Sequence, residues 1–199
     1  MSKPTSNYAR PIYIVDGLRT SWLKARGKHG PFSASDLAVQ AGRMLLAKQP
    51  FSPESFDKVV TGCVMPSADE ANISRIIALR LGCGDAMPAY TVQRNCASGM
   101  QALDSAALDI ASGRCDLVLA GGTEAMSRAP LLFRRRMVEW LAAWNAAKGI
   151  LNRVRVLTQF HADYLTPVIA LLRGLSDPLV GLSMGQTAEI VAHRFGITR

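Results

Sequence analysis

Thr91-Val92-Gln93-Arg94-Asn95-Cys96-Ala97-Ser98-Gly99-Met100-Gln101 drives an extended segment straight into a helix start, with a cysteine at the joint. Strands that feed helices in this way are the building units of parallel α/β sheets. Asn95 is a good N-cap, which predicts Cys96 as the first helical residue. The first N–H groups of a helix lack intrahelical partners and sit at the positive end of the macrodipole, so a thiol placed there is biased toward thiolate. Ser98 and Gly99 are small enough to let a substrate carbonyl approach the sulfur. Most free cysteines simply pack as small apolar residues. Cys96 differs in having small and polar neighbours instead of an apolar stripe.

Outward from this joint, strand-like and helix-like segments alternate, which argues for βαβ units over a bundle or a sandwich. Ile12–Leu18 reads as a first strand. Ser33 and Asp36 have capping-box spacing ahead of Leu37, Ala38, Ala41, Met44 and Leu45, which share a helical face, and Pro50 follows as a stop. Lys58–Val64 reads as the next strand. Ile73, Ile76, Ile77 and Leu81 form an apolar stripe ended by Gly82 and Gly84. Ala89–Arg94 leads into Cys96, behind which Met100, Leu103, Ala107 and Ile110 recur at helical spacing, predicting a helix pinned in the core by that face. Asp116–Ala120 is a continuous apolar strand running into Gly121-Gly122. The nucleophile candidate and the glycine turn then lie at the C-terminal ends of parallel strands, where open α/β sheets build their sites. Thr123 and Glu124 are read as holding the glycine turn or as ordinary surface-turn residues.

After residue 127 the sequence becomes Arg-rich and irregular, which predicts domains at 1–126 and 127–199. Trp140, Leu141, Trp144 and Ala147 mark an amphipathic helix whose tryptophans either pack in a core or contact a bound ligand. Gly174 to Gly181 reads as a loop.

Asn95-Cys96-Ala97-Ser98-Gly99-Met100-Gln101-Ala102 resembles the nucleophile motif of the thiolases. Gly121-Gly122-Thr123-Glu124-Ala125-Met126-Ser127 is similar to that family's glycine-rich turn, and Met184-Gly185-Gln186-Thr187-Ala188-Glu189 to a helix start in its covering domain. The resemblance runs from Pro11 to Arg199. It implies a mixed, mostly parallel sheet flanked by helices, with an incomplete covering domain after it. It implies an acyltransferase that cleaves 3-ketoacyl-CoA or condenses acetyl-CoA through an acyl-enzyme on Cys96, with coenzyme A as co-substrate and no permanently bound cofactor. Ser183 and Met184 are carried over as an acyl or pantetheine contact, although family members often have His where Ser183 stands. The family also uses a histidine in a Gly-His-Pro context, an asparagine that orients water, and a second cysteine as acid/base. This sequence has no Gly-His-Pro. The resemblance therefore implies a truncated N-terminal half with little or no activity alone, poorly soluble without its complement, and a homodimer or tetramer for the full protein. Other readings are a non-catalytic remnant that binds CoA or pairs with a subunit, and a condensing ketoacyl synthase.

The 199 residues suffice for a sizeable core, and 49% hydrophobic with 19% charged residues fits a globular chain. Residues 1–127 carry 13 basic and 11 acidic groups, whereas 128–199 carry 10 and 4. Arg134-Arg135-Arg136, with Arg128, Lys148, Arg153 and Arg155, would suit CoA phosphates, nucleic acid or an anionic membrane, or form a solvated helix face. No nucleic-acid module accompanies the patch, so neither a nucleic-acid nor a membrane partner is expected. The polar N-terminus and the lack of a spanning apolar run predict a cytoplasmic protein. Cys63, Cys83, Cys96 and Cys115 lack metal or disulfide spacing, so free thiols and no metal are expected.

Overall fold

The computed structural model describes residues 10–24 and 28–199. The chain divides into two compact units, Met1–Arg128 and Ala129–Arg199.

In the first unit, α1 (Ala34–Leu46) starts at the foreseen capping box, with the Asp36 N–H donating to Ser33 Oγ at 3.2 Å and the Ser33 N–H to Asp36 Oδ2 at 2.8 Å. The Ser33 N–H and the Arg80 guanidinium hold the Asp36 carboxyl below its ordinary range. Strand β1 (Lys58–Gly62) leads to α2 (Ile73–Leu81), which ends at Gly82 in the left-handed conformation, φ 81°. Then come β2 (Ala89–Val92), α3 (Ser98–Ala111) and β3 (Val118–Gly122). The three strands form a parallel sheet in the order β2-β1-β3, with Val59 opposite Ala89 and Leu119.

Alternation along β1 sorts the layers. Val59 joins Val39, Ile73, Ile77 and Leu81 in the core beneath α1 and α2. Val60 is fully buried on the opposite face, where α3 packs on β1. The α3 residues that go inside are the small Ala102 and Ala106, which bring the helix close to the sheet.

Two expectations fail here. Ile12–Leu18 belongs to no strand, and Tyr13, Ile14 and Val15 are exposed by 70% or more. The apolar face of α3 is not the buried one, for Met100 is 69% and Leu103 43% exposed. A strand needs a hydrogen-bonded neighbour and a helix stripe needs something to cover it; among the described residues neither is present for these segments.

The second unit has β4 (Leu131–Leu132) antiparallel to β5 (Val168–Ile169), with helices α4 (Arg135–Ala146), α5 (Ile150–Leu157), α6 (Ala170–Gly174) and α7 (Met184–Phe195). Trp140 stacks on Trp144 with centroids 5.8 Å apart, meets Phe160 edge-on, and donates its indole N–H to the Val156 carbonyl at 2.9 Å. Packing accounts for both tryptophans. Among the described residues no helix is long and apolar enough to cross a membrane.

Candidate active site

Cys96 is the one exposed cysteine; Cys63, Cys83 and Cys115 are buried. It sits outside α3, two residues before the first helical residue, and Ala97 occupies the cap position. Asn95 is therefore not the N-cap. It takes the left-handed conformation at φ 46°, the only non-glycine among the described residues to do so, and its carbonyl accepts the Ser98 N–H at 3.1 Å. Asn tolerates this region better than most residues, so the sequence preference used to predict a cap is spent on a turn.

Ser98 is what fixes the turn. Its hydroxyl is 3% exposed, donates to the Asn95 carbonyl at 2.6 Å and accepts the Arg94 N–H at 2.8 Å. The Arg94 side chain reaches along the helix to Gln101 Oε1 at 2.7 Å. Both ends of the Arg94-Asn95-Cys96-Ala97 turn are thus tied to the first two turns of α3, leaving the thiol on its outside.

Glycines at the strand ends let the helix start come this close. A Cβ on Gly62, at the end of β1, would collide with the Ser98 carbonyl and the Gly99 nitrogen. One on Gly122, at the end of β3, would sit 3.0 Å from the Gly99 Cα. Gly62 is a site residue that sequence reasoning missed; the available signal was a glycine closing an otherwise β-branched strand.

Of the two readings of Thr123 and Glu124, the structure shows the one in which they hold the glycine turn. The Thr123 hydroxyl donates to the Ala34 carbonyl at 2.7 Å, and its N–H to the Gly62 carbonyl at 3.0 Å. Glu124 Oε2 accepts the Val64 N–H at 2.8 Å, and Oε1 lies 3.7 Å from the Cys63 sulfur. Burial, and next the Glu124 charge, push the Cys63 thiol up to about 12. Burial likewise raises Cys83 and Cys115.

Ser183 and Met184 lie in the second unit. Ser183 caps α7 in a capping box with Gln186, its Oγ accepting the Gln186 N–H at 3.4 Å and its N–H donating to Gln186 Oε1 at 2.8 Å. Met184 opens that helix and is 53% exposed. Among the described residues no cluster of His, Cys, Asp or Glu is arranged to hold a metal ion.

Residues 12–199 match the family described as "Thiolase, N-terminal domain". Over 96% of its length the chain is 34% identical to the mitochondrial trifunctional enzyme subunit beta of Bos taurus, covering 39% of that protein. It is 33% identical to a 3-ketoacyl-CoA thiolase of Yersinia pestis (strain Pestoides F) over its whole length and 46% of the relative's. Among solved structures, the Bacillus anthracis acetyl-CoA acetyltransferase superposes with TM-score 0.67 at 30% identity. Human mitochondrial 3-ketoacyl-CoA thiolase in complex with CoA superposes with TM-score 0.65, also at 30% identity. Each superposition covers 84% of this chain and 38% of the other. The chain thus spans less than half the length of the relatives it matches.

Proposed function

We propose, from the premise that this chain belongs to the thiolase family, that Cys96 is the nucleophile of a coenzyme A-dependent acyl transfer and that this chain carries the nucleophile-bearing portion of the catalytic apparatus. The single observation that carries the reading is the exposed thiol on a turn locked by Ser98, at the mouth of a helix start wedged between two strand ends.

In thiolysis, the Cys96 thiolate attacks the 3-keto carbon of a 3-ketoacyl-CoA. A sulfur–carbon bond forms, and the oxyanion produced is stabilised by N–H donors at the start of α3. Collapse breaks the C2–C3 bond, and its electron pair leaves on C2 of acetyl-CoA, which takes up one proton. The thiol of a second CoA then attacks the acyl-cysteine, gives up its proton, and regenerates the Cys96 thiolate. Condensation of two acetyl-CoA runs the same steps in reverse. Proton delivery to C2 needs an acid, which the resemblance assigns to a second cysteine, and it assigns activation of the nucleophile to a histidine in a Gly-His-Pro context, which this sequence lacks. The expected activity of this chain alone is therefore acylation of Cys96 without sustained turnover.

Incubation with acetyl-CoA followed by intact mass and peptide mapping tests this. One acetyl group on Cys96, absent from Cys96→Ser, is expected. A folded sample with no adduct, or with the adduct on another residue, overturns the reading.

A further inference from the structure

Gln101 holds both ends of the turn that carries Cys96. Its backbone N–H donates to the Ala97 carbonyl at 2.8 Å, and its side-chain Oε1 accepts the Arg94 guanidinium at 2.7 Å. Arg94 and Ala97 are the first and last residues of that turn, and the Ala97 N–H joins them directly by donating to the Arg94 carbonyl at 3.0 Å. Ser98 grips the turn from inside through its buried hydroxyl. The bond between Arg94 and Gln101 grips it on the exposed side, where the thiol is presented.

The amide of Gln101 has one orientation. Its Nε2 donates to Asp104 Oδ2 and to Ser105 Oγ, both at 3.2 Å, while Oε1 faces the guanidinium. A flipped amide would set its N–H groups against the Arg94 donors and its oxygen against the Asp104 carboxylate. Helical spacing supplies two of the partners, because residues three and four positions beyond Gln101 stand on its own face of α3. Arg94 comes from outside the helix, seven residues earlier, and its long side chain covers the distance.

We propose that Gln101 is a positioning residue for Cys96, acting through Arg94. Asn95 stands at φ 46°, a conformation that a residue other than glycine keeps only where its surroundings leave it no alternative. Releasing Arg94 removes the outer tie and leaves the side chain of Ser98 to hold the turn, which then spreads over more conformations. Attack on a carbonyl carbon needs the sulfur aligned with the N–H donors that receive the oxyanion. A broader turn therefore slows acyl transfer without hiding the thiol. The inference rests on the reading of Cys96 as the acyl acceptor and adds to it a residue that acts through another.

The test compares variants of the full chain by acetylation of Cys96 from acetyl-CoA, alkylation of Cys96 by iodoacetamide, and amide exchange at Ala97 and Ser98. Gln101→Leu keeps the backbone N–H and removes the side-chain bonds. Its acetylation should slow about fivefold and its exchange quicken by a similar factor, the size of one net hydrogen bond. Alkylation makes no demand on the oxyanion donors and should stay within about twofold of wild type. Gln101→Glu keeps an acceptor for Arg94 and should bring acetylation back to within about twofold of wild type. Arg94→Met should match Gln101→Leu, and the double variant should be no slower than either, because the two side chains act as one unit. Four results overturn the proposal: wild-type acetylation in Gln101→Leu; Gln101→Glu as slow as Gln101→Leu; losses that multiply in the double variant; or alkylation that falls in step with acetylation, which marks a change in access instead of alignment. Exchange separates the clasp from the acyl reading. Faster exchange in Gln101→Leu, in a chain that takes no acetyl group even as wild type, removes the acyl chemistry and keeps the clasp; unchanged exchange with normal wild-type acetylation does the reverse.

Discussion

The two units bury apolar residues on different terms. Among the described residues, the first unit accounts for fifteen of the sixteen buried apolar residues, from Ala34 to Cys115, arranged on both faces of a parallel sheet. The second has Met137 alone, while Ile150, Leu151, Leu179 and Phe195 are each more than two thirds exposed. Both units have well-formed helices with proper caps. Capping and periodicity thus suffice to define helices, but a core requires layers that cover each other. The exposed Cys96 draws its rigidity from the well-packed unit, which is why a turn with a left-handed Asn can persist there.

Thiol reactivity gives the largest expected contrast, because it compares two cysteines of the same unit. At mildly alkaline pH iodoacetamide should modify Cys96 on the order of a thousandfold faster than Cys63, whose thiol is buried and held near 12. Peptide mapping against time checks this, and comparable rates would break the distinction between a site cysteine and a packing cysteine.

Truncating one apolar side chain in each unit comes next. Ile73→Ala, in the centre of the first core, should cost about 2–5 kcal/mol in urea unfolding. Leu151→Ala, 87% exposed, should change stability by about 0.5 kcal/mol or less. Equal losses would mean that the second unit has a core its surface exposure does not reveal.

Adding one methyl group sharpens the same point. Gly62→Ala should destabilise by about 1–3 kcal/mol and loosen the Cys96 turn, because the helix backbone has no flexible end to move aside. Gly185→Ala in α7 meets nothing within 4 Å and should stabilise by about 0.4–1 kcal/mol. Chemical denaturation of both variants decides, with Cys96 acylation followed alongside for Gly62→Ala.

The smallest effect is electrostatic. Backbone N–H groups of Leu117 and Asp116 hold the Asp57 carboxyl below its ordinary 3.8. A lowered folded-state value contributes stability above pH 3.8 that is lost as pH falls through the folded value. Asp57→Asn should therefore cost about 0.5 kcal/mol or less near neutrality, given the exposure of the site, and nothing at strongly acidic pH. Thermal melts from pH 2 to 7 check the convergence of the two curves.

The features legible in the sequence are those whose cause lies within a few residues. Ser33 and Asp36 satisfy each other's backbone, Gly82 supplies a left-handed stop, and the runs at Lys58, Ala89 and Val118, the first two β-branched and the third apolar, form strands within two residues of the expected limits. The position of Cys96 at a strand-to-helix joint was readable for the same reason. The start of α3 was not, because Ser98 competes with Asn95 for the turn and wins through a buried hydroxyl that bonds in both directions. Nor was the buried face of α3 readable. Small Ala102 and Ala106 approach the sheet more closely than the larger Met100 and Leu103 can, which reverses the rule that the bulkiest stripe goes inside.

By itself the sequence determined the order of strands and helices from α1 to β3, the capping box of α1, the cysteine at the joint and the family motifs, since each follows from local conformational preference or direct likeness. Only the tertiary structure decided that Gly62 and Gly122 admit the helix start, that Ser98 locks the turn, and that Ile12–Leu18 belongs to no strand. Those outcomes depend on which backbones meet at van der Waals distance and which hydrogen-bonding groups find partners far away in the chain, and no pattern within a short window contains that information.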